Sequence, residues 1–402
     1  MIPPTLVSQS AAVRTDPEDY LESLLSETAG SAGSLILFGA GPLGRYTLAG
    51  LRKVGVEPIA FADNNSQLWN QRIDGLNVLS PTEAVALYGS RAAFVVTIYN
   101  GSSPRNQLRD LGCQAVIPFA PLFWRYATVF IPGSGLGLPQ SILECRSEIE
   151  ACHSILADEI SRKEFCEQIT WRRTLDYSAL STPFDFHQMH FDPDVFLPMK
   201  NEVLVDCGAF DGDSVRGFLE QRDGQFSRIF ALEPDPGNRA ALEKAREILP
   251  SGIRERITVS PYAVGNHSGR VGFRATGDVV SGLDETANHS VELRTLDALI
   301  SEWRIVPTHI KLDIEGSEPD AIEGAADTLR KHMPLVSACL YHRCEHLWQI
   351  PLLLKRLVPD YQLFIRRYAE ECWELVCYAV PPSRLVPERI GHEDNHHPNA
   401  LF

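Results

Sequence analysis

Two short apolar runs, Leu35–Phe38 and Val203–Val205, each lead into a glycine-bearing turn and then into a helical pattern. The first turn reads Gly39-Ala40-Gly41-Pro42-Leu43-Gly44, and the second runs from Asp206 through Gly208 and Gly212 to Ser214. Strand, tight turn and helix N-terminus in that order belong to open α/β sheets. Glycines there let the backbone approach a ligand closely, because they carry no Cβ. The turns differ in charge. Asp206 ends the second strand, whereas the first turn has no such acid. A carboxylate at that point suits a cationic ligand better than a phosphate, so the chain predicts two nucleotide-type loops with different chemistry.

A length of 402 residues predicts two to three domains, each able to bury a core. Residues 1–30 read as a lead-in with a short acidic helix around Pro17–Glu27. Residues 31–130 read as a small Rossmann-like α/β domain: strands at 35–38, 58–61, 92–97 and 115–119, and a helix over Tyr46–Val54. The run Ile131–Pro139, with three glycines and two prolines, reads as a linker. Residues 140–178 read as helical, and with a proline- and aromatic-rich passage at 183–198 complete a connecting segment, 131–200. Residues 201–382 form the second α/β unit. Its strands are expected at 203–207, 228–232, 257–260, 309–312, 334–340, 362–366 and 375–380, and its helices at 214–221, 236–248 and 318–331. Residues 383–402 read as a surface tail.

The formal charge of −15 argues against a large nucleic-acid footprint and against anionic membrane surfaces. Nine cysteines without a Cys-x-x-Cys pair read as reduced intracellular thiols. No basic region followed by an apolar stretch opens the chain, and no apolar run approaches the roughly 20 residues of a spanning helix. A cytoplasmic protein without membrane insertion is expected. Nothing in the sequence specifies an oligomeric state.

Four segments follow one another in the second unit: Val205–Ser214, Ala231-Leu232-Glu233-Pro234-Asp235, Ser260–Gly265 and His309-Ile310-Lys311-Leu312-Asp313-Ile314-Glu315-Gly316-Ser317-Glu318. Tyr341-His342-Arg343 and Trp373–Tyr378 come later. In order and spacing these segments resemble the FkbM family of S-adenosylmethionine-dependent methyltransferases, over about 185–382. The Lys-x-Asp-x-Glu-Gly-x-Glu run is the most distinctive piece. The resemblance implies a class I, Rossmann-like methyltransferase fold with antiparallel final strands, and transfer to an oxygen of a sugar, polyketide or similar natural product.

The residues themselves agree. Glu233 ends the second strand of this unit, where a carboxylate can accept both ribose hydroxyls; the plainer reading is a helix-capping glutamate. Asp206, the Gly208–Gly212 backbone, Asp213 and Ser214 are expected to meet the amino-acid and sulfonium end of the cofactor. The alternative is a generic turn for another nucleotide. Ala263 and Val264 are expected to flank the adenine, or else to be ordinary core residues. Asp313 and Glu315 end strand four, where ligands meet an open sheet. Methylating a hydroxyl needs either a general base or a metal that acidifies it, and both residues fit either role, with Asp313 a candidate divalent-metal ligand. His342 is a candidate base, or an orienting or packed imidazole. His342 and His346, with Cys344 between them, lack a fourth zinc partner. His392, His396 and His397 read as solvated tail residues.

In the first unit, Gly39, Gly41 and Gly44 follow a strand and open a helix, and Asp63 lies 19 residues beyond Gly44. That is the dinucleotide fingerprint in context. It predicts a second site, for a nucleotide or nucleotide-sugar, or a degenerate fold kept for docking or dimerisation. No Tyr-x-x-x-Lys follows, though Tyr99 and His153 are possible partners for hydride chemistry.

The expectation is a two-domain enzyme that methylates a small-molecule or carbohydrate acceptor, with 183–198 and 274–292 shaping the acceptor pocket. The rival readings are an NAD(P)-dependent oxidoreductase centred on Gly39–Asp63 and a non-catalytic nucleotide-binding protein.

Overall fold

A computed structural model describes residues 20–22, 34–274, 282–283, 287 and 289–387. Most of the Pro17–Glu27 helix, parts of 274–292 and the histidines at 392, 396 and 397 lie outside the described residues.

Strands β1 (Leu35–Phe38), β2 (Ala60–Ala62), β3 (Arg72–Ile73), β4 (Leu76–Leu79), β5 (Ala93–Val96) and β6 (Ala115–Pro118) form one sheet. Its order is β3-β4-β2-β1-β5-β6, parallel except for the β3–β4 hairpin. The strands β1, β2 and β5 are wholly buried, as parallel strands covered on both faces are. The helix Pro42–Lys53 begins before the expected Tyr46, because proline at its first turn is pre-organised and lacks an N–H that would be left unpaired. The hairpin was not expected. Its turn is Asp74-Gly75, both at positive φ, the conformation that suits a two-residue hairpin.

In the second unit, β7 (Val203–Cys207), β8 (Arg228–Leu232) and β9 (Ile257–Ser260) precede four short strands. These are β10 (Ala263–Val264), β11 (Gly269–Arg274), β12 (Gly282–Leu283) and β13 (Ser290–Arg294), in a separate four-stranded sheet that the sequence did not suggest. Then come β14 (His309–Leu312), β15 (Leu335–Cys339), β16 (Gln362–Arg367) and β17 (Leu375–Val380). The main sheet runs β16-β17-β15-β14-β7-β8-β9. Only β17 is reversed, being antiparallel to both β15 and β16, so the expected antiparallel ending is a single strand inserted between two that run with the rest. The strand order turns back between β7 and β14, the kind of position at whose carboxyl ends open α/β sheets bind ligands.

The expected helix 318–331 divides into Glu318–Glu323 and Ala326–His332. Gly324 separates them, and a Cβ there would lie 2.0 Å from the Gly265 carbonyl oxygen. The helices Pro139–Glu144, Arg146–Ile155 and Glu159–Thr174 belong to the second unit's core: Ile142, Ile149, Phe165 and Ile169 pack with Val205, Ile310 and Leu363. Asp158 and Glu164 pair with Arg366 (2.6 Å) and Arg367 (2.9 Å) of β16.

Two corrections concern the connections. The glycine-rich 131–139 run is wedged between the units: a Cβ on Gly135 would lie 1.9 Å from the Tyr341 carbonyl oxygen, and one on Gly137 2.6 Å from Cys344 Sγ. Its glycines permit close approach and do not loosen a tether. The tail is anchored at its start, because Arg384 is buried and donates to Thr308 O (3.0 Å) and Glu202 Oε1 (2.5 Å) at the foot of β7 and β14.

An aromatic cluster joins the two units. Trp373 stacks on Phe119 (centroids 5.9 Å apart) and meets Tyr99 (4.6 Å) and Trp171 (6.2 Å) edge-on. Arg105 pairs with Glu371 at 2.5 Å beside it, both buried. Tyr99 follows β5, and Trp373 precedes the reversed β17, so the carboxyl edges of the two sheets face each other. All nine cysteines are free. Among the described residues no helix is long and apolar enough to cross a membrane.

Trp373→Ala should cost about 3–5 kcal/mol, the range for truncating a buried aromatic, and split denaturant unfolding into two steps as the units separate. A single transition at the wild-type midpoint would show that the cluster does not couple them.

Candidate active site

Lys311 and Asp206 are register partners on β14 and β7, and both are buried. The ammonium lies 3.1 Å from Asp206 Oδ1 and 4.0 Å from Asp313 Oδ2, and donates to the Gly208 carbonyl oxygen at 2.6 Å. Burial works against its charge, but Asp206 and Asp313 outweigh burial and hold Lys311 above its ordinary range. The other Asp206 oxygen accepts from Ser214 Oγ (2.5 Å). Asp206 is therefore enclosed beneath the turn, with its carboxylate already engaged. That corrects the expectation of a contact with the cationic end of a ligand: the acid anchors the turn. Gly208 (φ 77) cannot carry a side chain, because a Cβ would lie 1.8 Å from the Asp313 carbonyl oxygen. Gly212 (φ 90) precedes the helix Asp213–Arg222, and Asp213 accepts from the Ser214 N–H (2.7 Å).

Glu233 follows β8 on the neighbouring side of the crevice. One oxygen accepts from the Phe210 N–H (2.9 Å), the other from the Asp235 N–H (2.8 Å). Burial pushes its carboxyl up to about 7 against the help of those two donors. Ala263 and Val264 are both buried, Ala263 with Phe273, Val291 and Leu293, and Val264 in the main core. Their side chains thus fill cores, which is the plainer of the two readings offered for them.

The acids and the imidazole expected to do chemistry converge. Asp313 follows β14, and Glu315 sits in the next turn at φ 53, a left-handed conformation costly for a non-glycine residue and often found at functional sites. His342 Nε2 lies 3.3 Å from Asp313 Oδ1 and 3.7 Å from Glu315 Oε1. Its Nδ1 lies 2.8 Å from Oε1 of Glu318, which is wholly buried. His346 Nδ1 stands 3.2 Å from the other Glu318 oxygen, so the two histidines share a carboxylate and do not face a common metal with Cys344. Burial disfavours a charge on His342, yet Glu318 and Glu315 push its pKa up to about 10. Held protonated by these acids, His342 is a poor proton acceptor at neutral pH. Burial pushes Glu315 and Glu374 up to about 7. Asp313 is held below its ordinary range, where Lys311 and His342 overcome burial.

Four contributors were not singled out from the sequence. Lys311 and Glu318 lie inside the distinctive run and Glu374 inside a quoted segment, so only their roles were missed; a lysine in an apolar strand is the available signal. The fourth, His190, comes from the 183–198 passage and can offer a ring nitrogen within 4.8 Å of an Asp313 carboxylate oxygen. From the other predicted pocket segment, Gly282 approaches Glu315, since a Cβ there would lie 3.3 Å from the Glu315 Cβ.

The first glycine turn is arranged differently. Asp63 accepts from the N–H groups of Ala40 (2.8 Å) and Asn65 (2.7 Å). A Cβ on Gly39 would lie 2.8 Å from Ile98, and one on Gly44 1.8 Å from the Gly39 carbonyl oxygen, while Gly41 faces open space. Ile98 and Thr97 thus crowd the switch point between β1 and β5, and the residues after them, Tyr99 and Asn100, contact Trp373 and Glu371. His153 is buried against Phe165 in the helical segment, away from this turn.

Residues 206–372 match the family model of the methyltransferase FkbM domain. No curated protein matches the chain. Among solved structures, methyltransferase FkbM from Methylobacillus flagellatus KT superposes with a TM-score of 0.72 at 22% identity, covering 94% of this chain and 98% of that one. At that identity the likeness speaks for the fold, and its coverage takes in both sheets. A candidate rRNA-methylase from Clostridium thermocellum, 13% identical over 50% of this chain and 97% of its own, has a TM-score of 0.32 and adds nothing to the assignment.

Lys311→Met leaves Asp206 buried without a counter-charge and should cost about 3–5 kcal/mol of unfolding free energy. Adding Asp206→Asn should recover much of that loss. An unchanged denaturation midpoint in the single variant would show that the pair is idle.

Proposed function

We propose, from the match of residues 206–372 to the methyltransferase FkbM domain, that the chain uses S-adenosylmethionine to methylate a hydroxyl oxygen of a small polar acceptor, a carbohydrate or other natural product. One observation carries the cofactor reading. Glu233, at the carboxyl end of β8 beside the Gly208 turn, accepts only one backbone N–H on each oxygen, so each can still take a ribose hydroxyl. The charge around the crevice supports it. Asp213, Asp313, Glu315 and Glu374 surround the approach, with Lys311 and His342 as nearby cations, a field that favours a sulfonium over a phosphate.

When bound, S-adenosylmethionine supplies an electrophilic methyl group for in-line displacement. The chain's own residues have the remaining work. Asp313 and Glu315 line up an acceptor hydroxyl, and its proton passes to the carboxylate cluster, where Glu315 and Glu374 have carboxyls at about 7. His342, oriented by Glu318, holds the two acids together. The N-terminal sheet closes the acceptor side: its β5 loop docks on the loop before β17. With Asp63 engaged and Ile98 at the switch point, docking suits that sheet better than a second nucleotide or a hydride reaction.

Titration with S-adenosylhomocysteine and with NADH separates the readings. The first should bind and the second should not; the reverse would replace the methyltransferase reading by an oxidoreductase. Glu233→Ala should weaken S-adenosylhomocysteine by about 1.5–3 kcal/mol. The Glu233 carboxyl must be ionised to accept two hydroxyls, so wild-type affinity should fall up to about tenfold per pH unit below about 7. The variant should lose that slope, and an identical slope in both proteins would remove Glu233 from the ribose. His342→Ala should lower turnover by about 10²-fold with cofactor affinity intact; wild-type turnover would exclude its role in the cluster.

A further inference from the structure

We infer that Asp313, Glu315 and His342 form a binding site for one divalent cation of the Mg²⁺ or Mn²⁺ class, at the point where the acceptor hydroxyl is placed. The three side chains can each offer a ligand atom with all of these atoms within 4.8 Å of one another. Adjacent ligands on an octahedral ion with bonds of about 2.1 Å lie about 3 Å apart. His342 Nε2 is already 3.3 Å from Asp313 Oδ1 and 3.7 Å from Glu315 Oε1. A small closure brings the set to bonding geometry.

The imidazole makes this more than an acidic cluster. The His342 side chain is only 7% exposed, and its Nε2 is buried, aimed at the two carboxylates and without a hydrogen-bond partner. Its Nδ1 is bound by buried Glu318, which fixes the ring and points Nε2 at the acids. A carboxylate behind a histidine whose other nitrogen faces the ligand position is the outer-shell arrangement of metal-binding histidines. The two carboxylate oxygens are hard donors that suit Mg²⁺ or Mn²⁺, the borderline imidazole nitrogen favours Mn²⁺ of the two, and the set lacks the thiolates typical of structural zinc. Asp313 and Glu315 remain partly exposed on the cleft side, leaving room for further oxygen ligands.

The ion would take the place of the proton on Nε2 and offer its open positions to the acceptor oxygen, lowering that hydroxyl's pKa. Glu374 stays outside the ligand set and can receive the released proton. This consequence for turnover rests on the methyltransferase reading, but ion binding itself does not.

The test titrates the full chain with Mn²⁺ and follows the free ion by electron paramagnetic resonance, with S-adenosylhomocysteine binding measured on each sample. One Mn²⁺ per chain is expected, with pulsed resonance showing ¹⁴N coupling from a directly bound imidazole. His342→Ala should abolish that coupling and weaken Mn²⁺ at least tenfold; Glu315→Gln should also weaken it at least tenfold. Asp327→Asn, at an exposed site elsewhere, should change nothing. No Mn²⁺ bound to the wild type, no ¹⁴N coupling, or equal affinity in His342→Ala and Glu315→Gln would overturn the site, even with S-adenosylhomocysteine bound normally. The expected Mn²⁺ pattern without S-adenosylhomocysteine binding would uphold the ion site and overturn the cofactor reading instead.

Discussion

Lys311 is the group on which the crevice depends. A lysine in the middle of a parallel sheet is tolerable only if its charge is met. Here it is met across the strand pair by Asp206, by the Gly208 carbonyl oxygen above it, and at longer range by Asp313. These contacts join the two strands that flank the switch point and fix the turn after β7 against the turn after β14. Gly208 then lets the two turns approach to a distance no other residue would allow. The floor of the site is thus an internal salt bridge closed off from solvent, and the partly exposed Asp313 and Glu315 stand on it. Such an arrangement is poor at adding stability, because burying both charges is costly. It is suited to holding loops in one geometry.

A second constraint comes from the facing carboxyl edges. An open α/β sheet presents its ligand crevice at that edge. In this chain the N-terminal sheet uses its own edge for docking, through Tyr99, Asn100 and the Arg105–Glu371 pair. The run at 131–139 packs into the same junction. The glycine turn after β1 keeps the backbone form of a nucleotide loop, while Asp63 is spent on the turn's own N–H groups and Ile98 occupies the neighbouring space. The second unit gains a wall beside its carboxyl edge, and the first unit's own carboxyl edge is covered by that contact.

Much of this was legible in the chain. Periodicity located all seven strands of the main sheet and four of the six in the N-terminal one, since fully buried strands appear as apolar runs bounded by turn residues. The residues proposed for chemistry, Asp313, Glu315 and His342, do come together, because each lies just beyond the carboxyl end of β14 or β15. What failed to show depends on partners distant in sequence. Asp206 looked like a ligand contact until Lys311, on another strand, was found to cover it. His342 read as a base or an orienting imidazole, and nothing local announced the three acids of the β14 turn that surround it. Gly135 and Gly137 looked like a flexible linker because nothing local announces Tyr341 and Cys344 pressing on them. The β3–β4 hairpin is a different case: Asp74-Gly75 between Ile73 and Leu76 is a two-residue turn signal present in the sequence itself.

The central claim is that the crevice after β7 and β8, and not the glycine turn after β1, holds the cofactor of a methyl transfer. A crystal structure of the full chain grown with S-adenosylhomocysteine tests it most directly. The account predicts the ligand beside the Gly208 turn, with both ribose hydroxyls within hydrogen-bonding distance of Glu233 and the sulfur on the side of Asp313. A ligand seated at Gly41, or one in the crevice whose ribose avoids Glu233, would contradict it.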